Sequence, residues 1–101
     1  MGYKVNILPT AWDDLKKIED WHFVPFGVET ALKVSDNILD TIERLEQFPD
    51  SGSLAPDKWL NERGYRMVIC EKHVAIYKKI AQEVYVYHIA DTQTEYTKLF
   101  Y

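Results

Sequence analysis

The hydrophobic residues of this chain change their spacing near Tyr65, and that change restricts the possible folds more than any other feature. From Ala11 to Leu45 the apolar residues recur every three or four positions, the period of an amphipathic helix. From Tyr65 onward they alternate with polar residues, the period of a strand with one buried face. Helices grouped before strands are typical of α+β domains with a largely antiparallel sheet.

The boundaries of the predicted segments follow from the residues that interrupt these patterns. The alternating stretch "YKVNIL" predicts a first strand that ends at Pro9, and Thr10 is the expected N-cap of a first helix. The break "FVPFG" separates that helix from a second one over Val28 to Leu45, and residues 49–64 are expected to be a loop. Three strands are predicted last, over "YRMVICE", "VAIYKKI" and "VYVYHIA".

These segments predict one domain over residues 1–101, in the order β-α-α-β-β-β. The two helices are expected to form a hairpin that packs on one face of a largely antiparallel, four-stranded sheet. The other face of the sheet is then left for solvent or a ligand.

Composition excludes several classes of protein. The chain has one cysteine, Cys70, so it has no disulfide framework, and it lacks an apolar run near the ~20 residues that span a bilayer. We therefore expect a cytoplasmic protein that contacts no membrane. The three histidines lack the paired spacing of a zinc motif and the four glycines form no nucleotide-binding loop, so we predict neither a metal nor a cofactor.

Charge is distributed unevenly along the chain. The net charge is -4, yet residues 1–50 carry a balance of -5 and residues 51–101 a balance of +1. The stretch from Lys58 to Lys79 holds six cations against two acids. These cations either form a solvated sheet edge or hold an anion.

The order and spacing of several short motifs resemble the RelE/ParE superfamily of bacterial type II toxin–antitoxin toxins, also known as plasmid-stabilisation proteins. The motifs cover nearly the whole chain: "AWDDLKKI", "IERLEQFPDSG", "GYRMVI", "VAIYKKI" and "VYHIADTQTEYTKL". The resemblance implies a curved sheet against two helices and a cognate antitoxin that wraps the toxin. It also implies either ribosome-dependent cleavage of mRNA, as in RelE-like members, or poisoning of DNA gyrase, as in ParE-like members.

We favour the RelE-like activity at this stage, a metal-independent endoribonuclease that acts on mRNA at the ribosome. A ParE-like gyrase inhibitor and a binding module that has lost catalysis are the alternatives. A metal-free ribonuclease must align the 2′-hydroxyl, neutralise developing charge and move two protons.

The resemblance suggests residues for these tasks. Arg66 matches the arginine of the family's "G-Y-R" motif and would bind phosphate, unless it pairs with a helix carboxylate. Tyr96 matches the near-terminal tyrosine, unless it packs in the core, and His88 in the last strand is a candidate proton shuttle or a structural residue. Four further cations are predicted to bind RNA: Lys58, Arg63, Lys78 and Lys79. RelE-like relatives often carry a cation where this chain has Gln93 or Thr94, which fits a weakened enzyme, a different target, or a toxin whose remaining cations suffice.

Overall fold

The fold is given by a computed structural model that describes residues 2–94 and 96–100. The helices are α1 (Pro9–Phe26), α2 (Val28–Glu43) and α3 (Lys58–Glu62), with short 3-10 helices at Arg44–Glu46 and Tyr96–Phe100. The strands are β1 (Lys4–Ile7), β2 (Ser53–Leu54), β3 (Arg66–Cys70), β4 (His73–Ile80) and β5 (Glu83–Asp91).

All five strands form one sheet in the order β1-β5-β4-β3-β2. β1 runs parallel to β5, whereas the other neighbours are antiparallel. The predicted α+β class, with a helix pair on a largely antiparallel sheet, is confirmed. The sheet has five strands rather than the predicted four, because Ser53 and Leu54 of the expected loop pair with Met67 and Arg66.

The ends of α1 differ from the prediction for identifiable reasons. Pro9 is the first helical residue, a position where its missing N–H costs nothing, and Leu8 occupies the N-cap position. Thr10 is therefore not the N-cap, and its hydroxyl instead donates a hydrogen bond of 2.6 Å to the carbonyl oxygen of Tyr87. Pro25 lies within the helix, and the chain turns only at Gly27, whose φ of 88° is rarely adopted by residues with a side chain.

The helix hairpin covers one face of the sheet and encloses the larger part of the core. Its buried members come from both helices, from the 3-10 turn after α2 and from β4 and β5. The fully buried large side chains in this group are Leu15, Ile42, Leu45, Tyr77, Val84 and Val86. The hairpin thus packs directly against β3, β4 and β5.

The second face of the sheet is covered in part, which corrects the expectation that it is left free. Met67, Val74, Ile76 and Ala90 from the strands pack there with Leu60 of α3. Aromatic side chains from α3, β5 and the C-terminal 3-10 helix complete this second cluster, among them Trp59, Tyr87, Tyr96 and Phe100. Uncovered β-surface remains on this face at Ile69 and Ile80, which are 64% and 49% exposed.

Candidate functional site

Arg66 begins β3 and lies on the helix side of the sheet, not on the opposite face as expected. Alternate residues of a strand share a face, and Val68 and Cys70 pack against the core beneath the hairpin. Arg66 is also paired in register with Tyr77, a member of that core. Its side chain remains 26% exposed because it lies at the end of β3, beside the segment from Pro49 to Gly52.

The guanidinium of Arg66 is held by that segment. Its Nη1 donates a hydrogen bond of 2.7 Å to the carbonyl oxygen of Gly52, and its Nη2 lies 3.6 Å from Oδ1 of Asp50. Lys79 approaches the same carboxylate, with Nζ at 3.0 Å from Oδ1 and 3.1 Å from Oδ2. Two of the predicted phosphate-binding cations thus share one acidic partner, Asp50, which the sequence pattern did not single out.

Tyr77 forms hydrogen bonds to the same segment, Pro49 to Gly52, from inside the core. Its buried hydroxyl donates to the carbonyl oxygen of Pro49 at 2.7 Å and accepts from the N–H of Gly52 at 3.1 Å. Burial is the largest cause that raises the pKa of Tyr77, so the phenol stays protonated and keeps donating. The segment is therefore part of the folded core at one end and carries Asp50 at its exposed side.

His88 lies on β5, at a different location, where a bulge pairs Ile76 with His88 and Tyr77 with Val86. Its Nδ1 is 2.7 Å from Oδ2 of Asp14 in α1, and the same carboxylate oxygen accepts from the N–H of Ile89 at 3.0 Å. The ring of Phe100 stands at right angles to the imidazole, 5.0 Å between centroids. These contacts tie α1 to β5 and are typical of a structural histidine.

Tyr96 lies in the C-terminal 3-10 helix, half-buried against the second cluster. Its hydroxyl donates to the carbonyl oxygen of Thr92 at 2.8 Å. Burial and then the charge of Asp91 raise the pKa of Tyr96. A raised pKa makes this phenol a poorer proton acceptor at neutral pH.

The remaining predicted cations lie near aromatic rings or at the surface. Lys58 makes an exposed ion pair of 3.8 Å with Glu62, one helical turn away. The guanidinium of Arg63 stacks 3.8 Å above the ring of Trp59, and Nζ of Lys78 lies 4.4 Å above the ring of Tyr65. Lys78 and Lys79 therefore point to opposite faces of the sheet, as neighbouring strand residues do.

The structure thus brings Arg66 and Lys79 together at Asp50, whereas His88 and Tyr96 bond to residues elsewhere. Within the described residues, the polar contacts of Arg66, His88 and Tyr96 lead to three different neighbours in different elements. Sequence reasoning missed both acidic partners, Asp14 and Asp50. No local signal identifies them, since each faces a residue distant in the chain.

Residues 2–94 and 96–100 lack two features. In that part of the chain, three or more His, Cys, Asp or Glu side chains nowhere converge closely enough to hold a metal ion. None of the helices there has the length and apolarity needed to cross a membrane.

Comparison with solved structures finds the same fold in two toxin–antitoxin systems. A chain of the chromosomal ParDE system of Pseudomonas aeruginosa matches with a TM-score of 0.77 and 24% identity, over 90% of this chain and 97% of that one. A chain of the RelBE2 toxin–antitoxin complex of Mycobacterium tuberculosis matches with a TM-score of 0.67 and 15% identity, over 90% of this chain and 99% of that one. At these identities the likeness establishes the fold alone.

Comparison of the sequence with protein families identifies the family, which the structural comparison does not. A search of curated protein sequences returns no significant match. The family of ParE toxins of type II toxin–antitoxin systems matches residues 5–96, which includes every element except the last part of the C-terminal 3-10 helix and the start of β1. The chain is therefore a member of the ParE toxin family, within the RelE/ParE superfamily that its motifs predict, and a toxin of type II toxin–antitoxin systems.

Proposed function

We propose that this chain is a ParE-like toxin that binds and poisons DNA gyrase, cuts no RNA, and is neutralised by a cognate antitoxin. The observation that carries the proposal is that the three side chains predicted to be catalytic bond to partners in three different parts of the fold. Arg66 is bonded to Gly52 and faces Asp50, His88 is bonded to Asp14, and the hydroxyl of Tyr96 is bonded to Thr92.

RNA cleavage without a metal requires these groups to act on one phosphate at the same time. A proton acceptor, a proton donor and a cation must all reach the same few ångströms of the substrate. Here the imidazole lies between α1 and the C-terminal 3-10 helix, and the guanidinium lies at the start of β3 on the hairpin side. The arrangement therefore favours a toxin that acts by binding.

The family match supports the same activity and the same kind of partner. The matched family is that of ParE toxins, and the similar chain from Pseudomonas aeruginosa belongs to a ParDE system. An antitoxin that covers the toxin accounts for the apolar side chains that the hairpin leaves exposed, which include Trp21 (69%), Val24 (85%) and Val28 (54%).

Ribosome-dependent cleavage of mRNA is the second candidate, and one observation favours it. Asp50 is 57% exposed, so its ion pair with Arg66 is screened by water and contributes little to stability. An RNA phosphodiester carries one negative charge, as a carboxylate does, and can likewise accept two parallel hydrogen bonds from a guanidinium. Such a phosphate would displace Asp50 and leave Arg66 at the reacting centre.

The test is to assay the purified toxin against both targets. Gyrase supercoiling of plasmid DNA is expected to stop, with accumulation of cleaved DNA–gyrase complexes. Primer extension on mRNA from cells that express the toxin is expected to detect no toxin-dependent cuts. Cuts in mRNA together with undisturbed gyrase would overturn the proposal in favour of the ribonuclease.

Two conservative variants sharpen this test. Tyr96→Phe and His88→Gln remove proton-transfer chemistry while preserving most of the packing, and both are expected to remain toxic. Folding of each variant is checked by circular dichroism and by binding to the antitoxin. Loss of toxicity in both variants, with folding and antitoxin binding intact, would contradict a toxin that acts by binding.

A further inference from the structure

The turn of the helix hairpin carries apolar side chains that the fold itself leaves uncovered. Every residue from Phe23 to Thr30 is exposed, so the core buries neither the last residues of α1 nor the first residues of α2. Six large apolar side chains here are each at least half exposed: Trp21, Phe23, Val24, Phe26, Val28 and Leu32. We call these six side chains the hairpin tip. A contiguous apolar surface of this kind is typical of an interaction site.

The last turn of α1 is apolar on several sides at once. Successive helical residues are rotated by about 100°, so Trp21, Phe23 and Val24 leave the helix in three different directions. A helix packs on a core through one apolar stripe, and a helix that is apolar all round is normally buried all round. The core therefore cannot cover all three side chains, and a second surface is needed to remove them from water.

A cleft with an apolar lining lies beside the tip, between α1 and the β3–β4 turn. It has a volume of about 570 Å³, and Ile18, Trp21 and Phe26 supply its apolar lining. Val24, which is 85% exposed, follows Trp21 by three positions on the same helix. The hairpin thus carries a projecting apolar side chain next to an apolar hollow. Two identical copies can fill such a pair of features reciprocally about a two-fold axis.

Charges around the tip are balanced, which favours a second copy over a highly charged partner. With His22 neutral, residues 16–33 contain three lysines and three acidic residues: Lys16, Lys17, Lys33, Glu19, Asp20 and Glu29. The charged side chains that line the cleft are also of both signs, Lys17 and Lys72 with Asp91. The whole chain carries -4, yet two copies meet at their tips without net repulsion. A nucleic acid or a strongly charged peptide finds no excess of opposite charge here.

The area of the tip is sufficient for a reversible dimer. An aromatic side chain offers about 150–250 Å² and an aliphatic one somewhat less, so full coverage of the tip would bury roughly 600–700 Å² on each copy. The total of roughly 1,200–1,400 Å² lies at the low end of the range for specific interfaces. Such a size fits a dimer that dissociates on dilution better than a permanent one.

We propose that two copies of the free toxin associate through their hairpin tips, each inserting Val24 into the apolar cleft of the other. The inference goes beyond the proposed function and is independent of whether gyrase is the target. The antitoxin of the proposed function covers the same apolar side chains, so the dimer is a state of the toxin without its antitoxin.

Sedimentation equilibrium of the purified full-length toxin tests the association. Over toxin concentrations from about 1 to 100 μM, the mean mass should rise reversibly from that of a monomer towards that of a dimer. Because the tip is apolar and neutral, the dissociation constant should change less than about twofold between low and high salt. A monomer throughout this range, or a dimer that salt dissociates, would overturn the proposal.

Two matched substitutions locate the contact. Val24→Glu puts a charge into the proposed interface and should raise the dissociation constant at least about tenfold, because a charge buried without a partner is costly. Ile69→Glu makes the same change in charge at another exposed apolar residue, on β3 and outside the tip, and should change the constant less than about twofold. Circular dichroism verifies that both variants fold. Equal effects of the two substitutions would contradict an interface at the tip.

NMR identifies the partner atoms without any substitution. In a mixture of isotope-labelled and unlabelled toxin, nuclear Overhauser effects between copies should connect the methyl groups of Val24 with the indole of Trp21. A dimer that lacks these contacts, or a toxin that stays monomeric and floats with phosphatidylcholine vesicles, would overturn the proposal, and the second result would assign the tip to a membrane surface. None of these measurements involves gyrase, so their failure is distinguishable from failure of the proposed function.

Discussion

Removal of one buried hydroxyl, in Tyr77→Phe, should destabilise the fold by an amount that follows from its two hydrogen bonds. The hydroxyl donates to the carbonyl oxygen of Pro49 at 2.7 Å and accepts from the N–H of Gly52 at 3.1 Å, and Tyr77 is 0% exposed. The substitution leaves two backbone groups without a partner in the interior. An unpaired buried group costs about 1–3 kcal/mol, so the loss should be roughly 2–3 kcal/mol.

Urea denaturation measures this loss. The free energy of unfolding falls by about 1–3 kcal/mol per molar urea, so the urea midpoint should fall by roughly 1 M. The matched control is Tyr85→Phe, which removes a half-buried hydroxyl bonded at 3.0 Å to the side chain of Glu83. Because water replaces that partner, the control should lose less than about 1 kcal/mol.

Gly52→Ala provides an independent test of the same contact. A Cβ on Gly52 would lie 2.6 Å from the carbonyl oxygen of Met67 and 2.7 Å from the hydroxyl oxygen of Tyr77. Because one of these atoms belongs to the backbone, we expect destabilisation of at least about 1–3 kcal/mol. Equal urea midpoints for Tyr77→Phe and Tyr85→Phe, or a wild-type midpoint for Gly52→Ala, would refute the reasoning.

Three further predictions concern other parts of the molecule. Asp14→Ala should cost about 1.5–3 kcal/mol in urea denaturation, because its carboxylate bonds His88 and the N–H of Ile89, whereas exposed Asp13→Ala should stay within about 0.5 kcal/mol. Ala81→Gly should increase the free energy of unfolding by about 0.5–1 kcal/mol and so raise the thermal midpoint, because Ala81 has a φ of 55° in a tight turn. A lower thermal midpoint would contradict this. His73→Asn should reduce the loss of stability in acid. The pKa of His73 in the folded protein lies below 6.5. The free energy of unfolding therefore falls as the pH drops from 6.5 to that pKa, because only the unfolded chain takes up the proton there. An unchanged pH profile would contradict the last prediction.

The proposed site illustrates why residue types alone do not reveal a role. Arg66, His88 and Tyr96 have side chains suited to RNA cleavage, and the family motif places them in the right order along the chain. In the structure their partners are Asp50, Asp14 and the carbonyl of Thr92, which belong to three different parts of the fold. Two of these three partners are distant in sequence, so no local pattern predicts them.

The sequence by itself determined the class of fold, the helix hairpin, the three main strands and the RelE/ParE superfamily, because hydrophobic period and motif order are local properties of the chain. Only the tertiary structure decided that β2 adds a fifth strand, that part of the second sheet face is covered, and that Arg66 lies on the helix side. The physical reason is that these outcomes depend on contacts between residues distant in the chain. Alternation specifies which strand residues share a face, but only packing decides what covers that face.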